Sequence, residues 1–536
     1  MTCKPISFTN RDTLWQELKQ SPNNYWDVVI VGGGIIGAGV LREASRRGLN
    51  VLLIEQQDFA WGTSSRSSKM VHGGLRYIAQ GDIKLTKHSV QERERLLKEA
   101  PGLVERVGNY FLLQKRQFPG RIAMGSVLTI YDKLAGIKDH RYLDKNSLIE
   151  HFPNIQSEGL KGACYYSDTS VDDARLVLRV LQESIQNGGK VLNYVQAKNL
   201  ITDSHNSNQV SGLVLENIES GEQLEVKTSV VVNATGAWAD RLRQQVVDEK
   251  RIRPLRGSHL VFASKQLPLK DTLILFHPKD KRPVFIFPWE GATLVGTTDL
   301  DHHENLDLES TITQEEVEYL LQVVSRYFPN SNISHHDVIS SYSGVRPVIG
   351  SDRSKDPSKE RRDHAVWADK GLVTVSGGKL TTFRLTAIDT LNMAQTWLRK
   401  KAPLNCGDQV FITPPISEGT PVNEQNWLKR ITGRYGFNAQ HIVANASDGE
   451  LLLIAETQFS LAECRWAIKH ESVVHLDDLL LRRTRLGILV KNGAQALFPI
   501  LEKTFQEELG WDNNKWTQEV ARYQSIWKKH YSLPSN

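Results

Sequence analysis

Three glycines and one carboxylate near the N-terminus have the types and spacing that bind a dinucleotide. Gly32, Gly34 and Gly37 form a G-x-G-x-x-G pattern. In this pattern the first glycine permits a tight turn, the second lets the backbone approach a pyrophosphate, and the third lets a helix pack closely on a strand. Glu55 lies 21 residues after Gly34, where a carboxylate can accept hydrogen bonds from ribose hydroxyls. We therefore predict a dinucleotide site.

The elements that must position these residues are a strand, a helix and a second strand. Asp27–Val31 is a short run rich in β-branched residues, which is typical of a buried parallel strand. Residues 36–47 have a helical pattern that Gly48 ends, and Val51–Ile54 is a second buried strand. Such a βαβ unit points the free N–H groups of the helix N-terminus at the phosphates.

Later segments extend the same sheet and predict a divided domain. Ser229–Asn233 and Leu372–Val375 are further strands, and β-rich stretches such as Thr293–Thr297 lie between them. We therefore expect an α/β fold, in which a Rossmann-like nucleotide-binding domain carries an inserted mixed-sheet substrate domain. Prolines between Lys400 and Ile416 indicate a boundary, and the sequence beyond is helical in character. The predicted divisions are an N-terminal extension (1–24), interleaved dinucleotide-binding and substrate-binding domains (25–400) and a helical C-terminal cap domain (401–536).

Composition limits the classes of function. The net charge of +5 over 536 residues suits a protein that handles anions and permits contact with an acidic membrane surface, but it does not suggest nucleic-acid binding. The four cysteines form no C-x-x-C pair, so we expect no metal centre and a reducing, cytoplasmic environment. No run of about 18 apolar residues occurs, so we expect any membrane association to be peripheral.

The chain has one dinucleotide fingerprint, and this bears on where electrons come from. A flavoenzyme that NAD(P)H reduces usually needs a second nucleotide site, and the sequence offers none. If the dinucleotide is FAD, the substrate itself should reduce the flavin. The electrons must then leave to oxygen, to a quinone or to a partner protein.

A set of further motifs is highly specific in combination. The motifs are Thr63–Tyr77, Tyr166–Asp168, Val171–Val177, Asn233–Trp238, Gly257–His259, Gly296–Asp299, Tyr342–Pro347, Gly377–Arg384 and Asp477–Arg485. Together, over about residues 25–500, they closely resemble the family of FAD-dependent (respiratory) glycerol-3-phosphate dehydrogenases. The resemblance implies a glucose-oxidase-like or D-amino-acid-oxidase-like FAD fold with an appended helical domain.

The resemblance also implies an activity and its partners. The expected reaction is oxidation of sn-glycerol 3-phosphate to dihydroxyacetone phosphate by hydride transfer to FAD, with electrons passed to ubiquinone or a similar acceptor. The better-known bacterial members of the family are peripheral inner-membrane enzymes, so we expect this protein on the cytoplasmic face of the inner membrane, whereas other relatives use oxygen and make hydrogen peroxide. A homodimer is a further expectation.

Five residues within these motifs are the candidates for substrate chemistry. Arg76, Tyr77, Arg346 and Lys379 are expected to bind the substrate, because a phosphate dianion needs several cationic or hydroxyl donors. His259 is the preferred general base, since histidine titrates near neutrality. Arg346 could instead stabilise an alkoxide directly, and Lys379 is the third catalytic candidate.

Glycine-rich and hydroxyl-rich segments are expected to contact the cofactor. A helix that begins near Leu380, after Gly377 and Gly378, would present N–H groups to the flavin edge that gains negative charge on reduction. The predicted cofactor-binding residues are Gly32, Gly34, Gly37, Glu55, Thr63, Ser64, Ser65, Ser68, Lys69, His72, Gly73, Gly74, Thr235, Gly236, Gly378, Leu380 and Thr381.

Several alternatives stay open at this point. Arg482, Arg483 and Arg485 could meet anionic lipid headgroups, or they could lie on a solvated helix paired with Asp477 and Asp478. The enzyme could be an oxidase, or an amine-oxidising relative whose site binds a carboxylate. It could also be a flavoprotein that has lost catalysis and serves as an interaction module.

Overall fold

A computed structural model describes residues 4–8, 10–20, 25–79, 81–115, 117–205, 208–350, 363–399, 409–414 and 422–534. The strands within these ranges are β1 (Tyr25–Val31), β2 (Val51–Ile54), β3 (Met70–Val71), β4 (Val104–Gln114), β5 (Arg141–Asp144), β6 (Leu160–Val171), β7 (Lys190–Leu192), β8 (Val195–Asp203), β9 (Gln209–Asn217), β10 (Gln223–Asn233), β11 (Ile252–Ala263), β12 (Thr272–Phe276), β13 (Pro283–Trp289), β14 (Ala292–Gly296), β15 (Leu300–Asp301), β16 (Val338–Ile349), β17 (His364–Asp369) and β18 (Leu372–Gly377).

Helices surround the two sheets that these strands form. They are α1 (Arg11–Gln20), α2 (Ile35–Ser45), α3 (Leu75–Ala79), α4 (Ile83–Glu99), α5 (Arg121–Ala135), α6 (Lys145–His151), α7 (Asp173–Gln186), α8 (Ala239–Arg243), α9 (Gln314–Tyr327), α10 (Phe383–Ala394), α11 (Val422–Tyr435), α12 (Ala439–Ala444), α13 (Leu461–His470), α14 (Leu486–Leu489), α15 (Phe498–Leu509) and α16 (Asn513–His530). Short 3₁₀ turns occur at Thr63–Ser65, Gly236–Trp238, Pro329–Ser331, His335–Asp337, Gly436–Asn438 and Lys491–Leu497, and a π-helical turn occurs at Asp478–Arg483.

The first sheet is the predicted nucleotide-binding layer. Its order is β17-β18-β10-β1-β2-β7, with β9 and β8 added antiparallel beyond β10. β1 pairs in parallel with β2 and β10, and Val28, Val29 and Ile30 are fully buried. Both faces are covered, by α2, α7 and α10 on one side and by α1 on the other, as a parallel sheet requires. The βαβ unit and the strands predicted for this sheet are confirmed.

Two boundaries in this layer differ from the prediction. β10 begins six residues before Ser229, because its first half pairs with β9 outside the parallel layer. The helix after Gly377 and Gly378 begins at Phe383 and not near Leu380. Both glycines have a φ of +78°, so the chain makes a turn before it can enter the helix.

The second sheet is the predicted mixed-sheet insertion. Its order is β15-β11-β14-β13-β12-β4-β6-β3, with β16 paired to β11 and β5 to β6. β12 and β4 are parallel, whereas β11 pairs antiparallel with both β14 and β16. This register sets His259 of β11 between Gly296 of β14 and Tyr342 of β16. The insertion therefore presents one histidine and its two cross-strand neighbours as a unit.

The N-terminal segment links the first sheet to the helices at the other end of the chain. Leu14, Trp15 and Leu18 of α1 are buried against the first sheet. Upstream of α1, the backbone N–H of Phe8 donates to the carbonyl of His470 at 2.9 Å. The extension is thus packed into the fold, although its limits and those of the other predicted divisions stay a prediction.

The C-terminal arginines are buried, so the predicted lipid contact and the predicted solvated helix are both wrong, whereas the predicted pairing with Asp477 and Asp478 is confirmed for Arg482. Arg482, Arg483 and Arg485 are at most 2% exposed. Arg482 does pair with Asp477 and Asp478, at 2.7 and 2.6 Å, but Arg482 and Arg483 also share the fully buried carboxylate of Asp58. Buried charges need such partners, and these arginines therefore dock the helical region on the loop that follows β2. They are not available to lipid headgroups.

Two structural absences hold for the described ranges. No helix there is both long and apolar enough to cross a bilayer. No group of three or more histidine, cysteine, aspartate or glutamate side chains could hold a metal ion.

A buried histidine at this docking region predicts a pH dependence of stability. Burial disfavours the charged ring of His475, but hydrogen bonds to Glu219 and Glu519 outweigh it and raise its pKa from 6.5 to about 9. A raised pKa stabilises the fold fully below pH 6.5, and this stabilisation is lost as pH rises through about 9. The linked free energy is about 3 kcal/mol.

Thermal unfolding across this pH range checks the prediction. The chain should lose stability between neutral pH and pH 9, and His475→Gln should start less stable and lose less over the same range. An unchanged pH dependence in His475→Gln would contradict the assignment.

Candidate functional site

A cavity of about 620 Å³ lies between the two sheets. Its volume falls within the roughly 300–1,000 Å³ typical of ligand pockets. Glu55, Gly32 and Gly34 line it, and so do His259, Arg346 and Lys379. The part of the cavity at these last three residues is called the deep end below. The structure thus brings the predicted nucleotide site and the predicted chemistry into one cavity.

The predicted ribose carboxylate is fixed by backbone donors. Glu55 follows β2, and its two oxygens accept hydrogen bonds from the N–H groups of Gly33 at 2.6 Å and Gln57 at 2.9 Å. Burial raises the pKa of Glu55, which these donors partly offset. Such a carboxylate can accept hydrogen bonds from hydroxyl groups, as the ribose of a dinucleotide requires.

The glycine turn has the shape of a pyrophosphate cradle. Gly32 has a φ of +113°, and a Cβ there would lie 2.5 Å from the carbonyl oxygen of Ala234. Gly34 caps the N-terminus of α2 without a side chain of its own, and the hydroxyl of Ser64 accepts from the N–H of Ile35 at 3.0 Å. A Cβ at Gly34 would crowd that hydroxyl at 3.1 Å. These residues fit the phosphates of a dinucleotide such as FAD.

Gly37 does not line the cavity, but the turn depends on it. A Cβ at Gly37 would overlap the carbonyl oxygen of Gly32. We expect Gly37→Ala to push α2 off the turn, to lower stability by about 1–3 kcal/mol and to abolish retention of FAD. Flavin absorbance of the purified protein measures this. Gly125→Ala is the matched control, since a Cβ there meets open space, and retention of FAD by Gly37→Ala would contradict the role of the turn.

The segment after Gly62 divides between the cavity and the protein interior. Thr63, Ser64 and Ser68 line the cavity, whereas Ser65 and Lys69 do not. The ammonium of Lys69 is fully buried and bonds to Asp173 at 2.9 Å and to the carbonyl of Ser65 at 2.6 Å. Lys69 and Ser65 therefore brace the loop from behind.

The paired glycines that follow divide in the same way. His72 and Gly74 line the cavity. Gly73 instead donates its N–H to Asp168 at 3.1 Å, and a Cβ at Gly73 would overlap the hydroxyl of Tyr131. The side-chain hydroxyl of Thr381 accepts from the N–H of His72 at 3.1 Å. The remaining predicted contacts, Thr235, Gly236, Gly378, Leu380 and Thr381, all line the cavity.

His259 is buried at the deep end of the cavity. Its ring stacks on Tyr342 with centroids 4.7 Å apart, and Nε2 lies 3.0 Å from the hydroxyl of Ser68. A Cβ at the cross-strand neighbour Gly296 would overlap the ring. Burial, followed by the charges of Lys69 and Arg346, holds the pKa of His259 well below its ordinary value. The ring is thus neutral near pH 7 and able to accept a proton.

Arg346 reaches the cavity from β16 through space that a glycine leaves. A Cβ at Gly257, on the neighbouring strand, would overlap the Arg346 guanidinium. The side chain is 23% exposed, and Asp299 lies 3.8 Å from one of its nitrogens. The guanidinium is thus turned toward the cavity with a carboxylate behind it.

Lys379 and Tyr77 form a second cationic wall. The Lys379 ammonium lies 3.7 Å from the Tyr77 ring centroid and donates to the hydroxyl of Ser89 at 3.0 Å. Both residues line the cavity, and a Cβ at Gly74 would overlap the Tyr77 ring. Arg76 belongs to α3, but its side chain lies outside the described part of the structure.

Some residues of the cavity lining were not predicted. Asn109, Tyr166, Asp168 and Phe285 also line the cavity. Asp168 accepts from Arg93 at 2.9 Å. The Tyr166–Asp168 motif could have indicated two of these residues, whereas Asn109 and Phe285 belong to no motif and reach the cavity only through strand pairing.

Comparison with known proteins agrees with this geometry. Residues 27–386 match the family model described as FAD dependent oxidoreductase, and residues 412–516 match the C-terminal domain of alpha-glycerophosphate oxidase. The aerobic glycerol-3-phosphate dehydrogenase of Staphylococcus haemolyticus is 34% identical over 508 residues, covering 89% of each chain. That of Staphylococcus aureus is 32% identical over 493 residues, covering 87% of this chain and 88% of its own.

Two solved structures share the fold. The glycerol-3-phosphate dehydrogenase of Bacillus halodurans complexed with FAD has a TM-score of 0.78 at 24% identity, covering 99% of this chain and 100% of its own. The FAD-bound L-alpha-glycerophosphate oxidase of Mycoplasma pneumoniae has a TM-score of 0.55 at 19% identity, covering 74% and 100%. With the family models and the curated relatives, these matches lead to one conclusion: the chain belongs to the FAD-dependent glycerol-3-phosphate dehydrogenase family.

Proposed function

We propose that this protein oxidises sn-glycerol 3-phosphate to dihydroxyacetone phosphate and passes the electrons to a quinone. One observation carries the proposal: a buried histidine, His259, and two cationic side chains, Arg346 and Lys379, line the same cavity as the residues that fit FAD. Two cations suit a phosphate dianion. The name of the curated relatives supports the same substrate.

The residues that would hold FAD follow from the cavity lining. Glu55 would accept from the ribose, Gly32 and Gly34 would face the pyrophosphate, and Thr63, Ser64 and Ser68 would line the path toward the deep end. A bound FAD would supply the acceptor for the hydride that leaves C2 of the substrate, and this hydride carries both electrons of the oxidation.

The deep end would supply binding and proton transfer. Arg346 and Lys379 would bind the phosphate, with Tyr77 beside Lys379, and Arg76 is a further proposed ligand. His259 would take the proton of the C2 hydroxyl. The hydroxyl of Ser68 orients one ring nitrogen, and Nδ1 is buried without a hydrogen-bond partner among the described residues. Binding the substrate beside these residues converts a bimolecular reaction into an effectively unimolecular one.

A quinone is the acceptor that we propose. The curated relatives are named dehydrogenases, which favours an acceptor other than oxygen. Ubiquinone is dissolved in the bilayer, so this acceptor implies peripheral contact with the cytoplasmic face of the inner membrane. A homodimer is compatible with such contact and belongs to the same proposal.

Oxygen is the alternative acceptor. The match of residues 412–516 to a domain named after an oxidase is the observation that favours it. An amine-oxidising activity fits less well, because one arginine suffices for a carboxylate and the cavity has a lysine in addition. A non-catalytic module would not need the neutral His259.

Product analysis and an oxygen electrode test the proposal together. The FAD-loaded protein with sn-glycerol 3-phosphate and a short-chain ubiquinone should form dihydroxyacetone phosphate and reduce the quinone with little oxygen uptake. Oxygen uptake with formation of equimolar hydrogen peroxide would show that oxygen, and not a quinone, is the electron acceptor. Failure to form dihydroxyacetone phosphate with any acceptor would contradict the assignment of sn-glycerol 3-phosphate as the substrate.

A further inference from the structure

A buried ammonium group lies behind the proposed base. Lys69 is fully buried, and its Nζ lies 4.7 Å from the centroid of the Tyr342 ring. The same ring stacks on His259, with an angle of 9° between the planes. Lys69 does not line the cavity, so cofactor binding does not explain why a cation is buried at this position.

We propose that Lys69 is a positioning residue for the oxidation, which acts through Tyr342 and the 65–69 loop to hold His259 in place and in its proton-accepting form. This inference rests on the proposed function for the role of His259. It assigns to Lys69 a task that differs from the cofactor contact predicted from the sequence.

The first part of the argument is mechanical. Lys69 and the backbone and hydroxyl of Ser67 all bond to the carboxylate of Asp173, at 2.7–2.9 Å. The hydroxyl of Tyr342 donates to the carbonyl of Ser67 at 3.1 Å, and Ser68 then meets His259 Nε2 at 3.0 Å. Loss of the ammonium would therefore loosen both groups that touch the histidine ring.

The second part is electrostatic. The ring of His259 is packed against Gly296 on β14, against Tyr342 on β16 and against the 65–69 loop. The charges that act on it are the cations of Lys69 and Arg346, and both lower its pKa. A nearby cation disfavours a second positive charge, so Lys69 favours the neutral ring.

Lys69 carries its positive charge in the pH range in which His259 would take up a proton. Burial, followed by the charge of Arg485, lowers the pKa of Lys69 to about 7, and the carboxylates of Asp173 and Asp172 oppose this. The ammonium is therefore present at acidic pH, where His259 would take up a proton. Two cations share Asp173, since Arg485 lies 3.6 Å from it, so the carboxylate does not fully cancel the field of Lys69.

The helical C-terminal region contributes to this arrangement. Arg485 donates to the carbonyl of Ser65 at 2.5 Å, beside the bond from Lys69. The loop that carries Ser68 is thus held by the side chain of Lys69, which immediately precedes β3, and by the side chain of Arg485, which immediately precedes α14. This contact gives the C-terminal region a part in the site, although none of its described residues lines the cavity.

The test compares neutral and charged replacements of Lys69. Lys69→Met and Lys69→Gln should move the acidic limb of kcat/KM for sn-glycerol 3-phosphate to higher pH by about one unit. Lys69→Arg, which keeps the charge, should leave the limb near its original position. A second measurement needs no substrate: the ¹³C-histidine resonance of His259, identified by its loss in His259→Gln, should titrate at higher pH in both neutral variants.

Arg175→Met is the matched control. Arg175 is also a buried cation, with one carboxylate partner, Glu471 at 2.6 Å, and an aromatic ring, Tyr435 at 4.4 Å. The Arg175→Met variant should be less stable, but it should shift neither the acidic limb of kcat/KM nor the pH at which the His259 resonance titrates. Unchanged titration of His259 in a folded, FAD-containing neutral variant would overturn the inference, whereas failure of the unmodified protein to oxidise the substrate would overturn the proposed function alone.

Discussion

Replacement of His259 by asparagine is expected to slow reduction of bound FAD by sn-glycerol 3-phosphate by about 10²–10⁴-fold, the usual contribution of a general base. The ring is buried, neutral and bonded to Ser68 at 3.0 Å. Asparagine is smaller than the ring and does not take up the proton. Anaerobic stopped-flow mixing measures the rate, and flavin absorbance shows that FAD is retained.

A second buried histidine provides the control for this variant. His277 is also fully buried and stacks on a tyrosine, Tyr319, with centroids 3.6 Å apart. It does not line the cavity, so His277→Asn should reduce FAD at close to the original rate. Equal rates for His259→Asn and the unmodified protein would remove His259 from the mechanism and favour direct stabilisation by Arg346.

Arg346→Met is expected to weaken binding of sn-glycerol 3-phosphate by about 100-fold, because truncation of a partner in a charged hydrogen-bonded pair costs about 2–5 kcal/mol. The guanidinium is the cationic group that β16 brings to the cavity. The concentration dependence of anaerobic FAD reduction gives the dissociation constant. Lys379→Met should show a smaller loss, since an ammonium lacks the planar fork.

Two further variants separate charge from geometry at this position. Arg282 contacts the same Asp299, at 3.5 Å, but does not line the cavity, so Arg282→Met should bind the substrate almost normally. Gly257→Ala keeps the arginine but fills the space that its guanidinium occupies, and it should weaken binding while FAD stays bound. Full affinity in Arg346→Met would exclude this arginine as a phosphate ligand.

The fold could be predicted wherever local pattern and topology agree. β1, α2 and β2 follow from apolar runs that glycines interrupt, and these patterns depend on residues close in sequence. The surroundings of Arg482 could not be predicted this way, because its partner Asp58 lies 424 positions away. An arginine-rich turn next to two aspartates indicates a solvated helix unless such a distant carboxylate is known.

The site could be predicted in part for the same reason. Glu55, Ser68, His259 and Arg346 stand in motifs and do line the cavity. Lys69 stands in the same motif as Ser68, but its left-handed backbone, with a φ of +55°, turns its side chain away from the cavity and toward Asp173.

Other parts of the site depend on which strands become neighbours. The need for glycine at positions 257 and 296 follows from the pairing of β11 with β14 and β16, since a Cβ there would meet a side chain of the adjacent strand. The sequence alone does not contain this pairing.

Anaerobic mixing of the FAD-loaded protein with sn-glycerol 3-phosphate, glycerol and glycine tests the account most directly. We expect sn-glycerol 3-phosphate to bleach the yellow flavin band rapidly and saturably. Glycerol, which lacks the phosphate, and glycine should bleach it weakly or not at all. Bleaching by glycerol at equal concentration and rate, or no bleaching by the phosphate ester, would contradict a cavity built to grip a phosphorylated alcohol beside FAD.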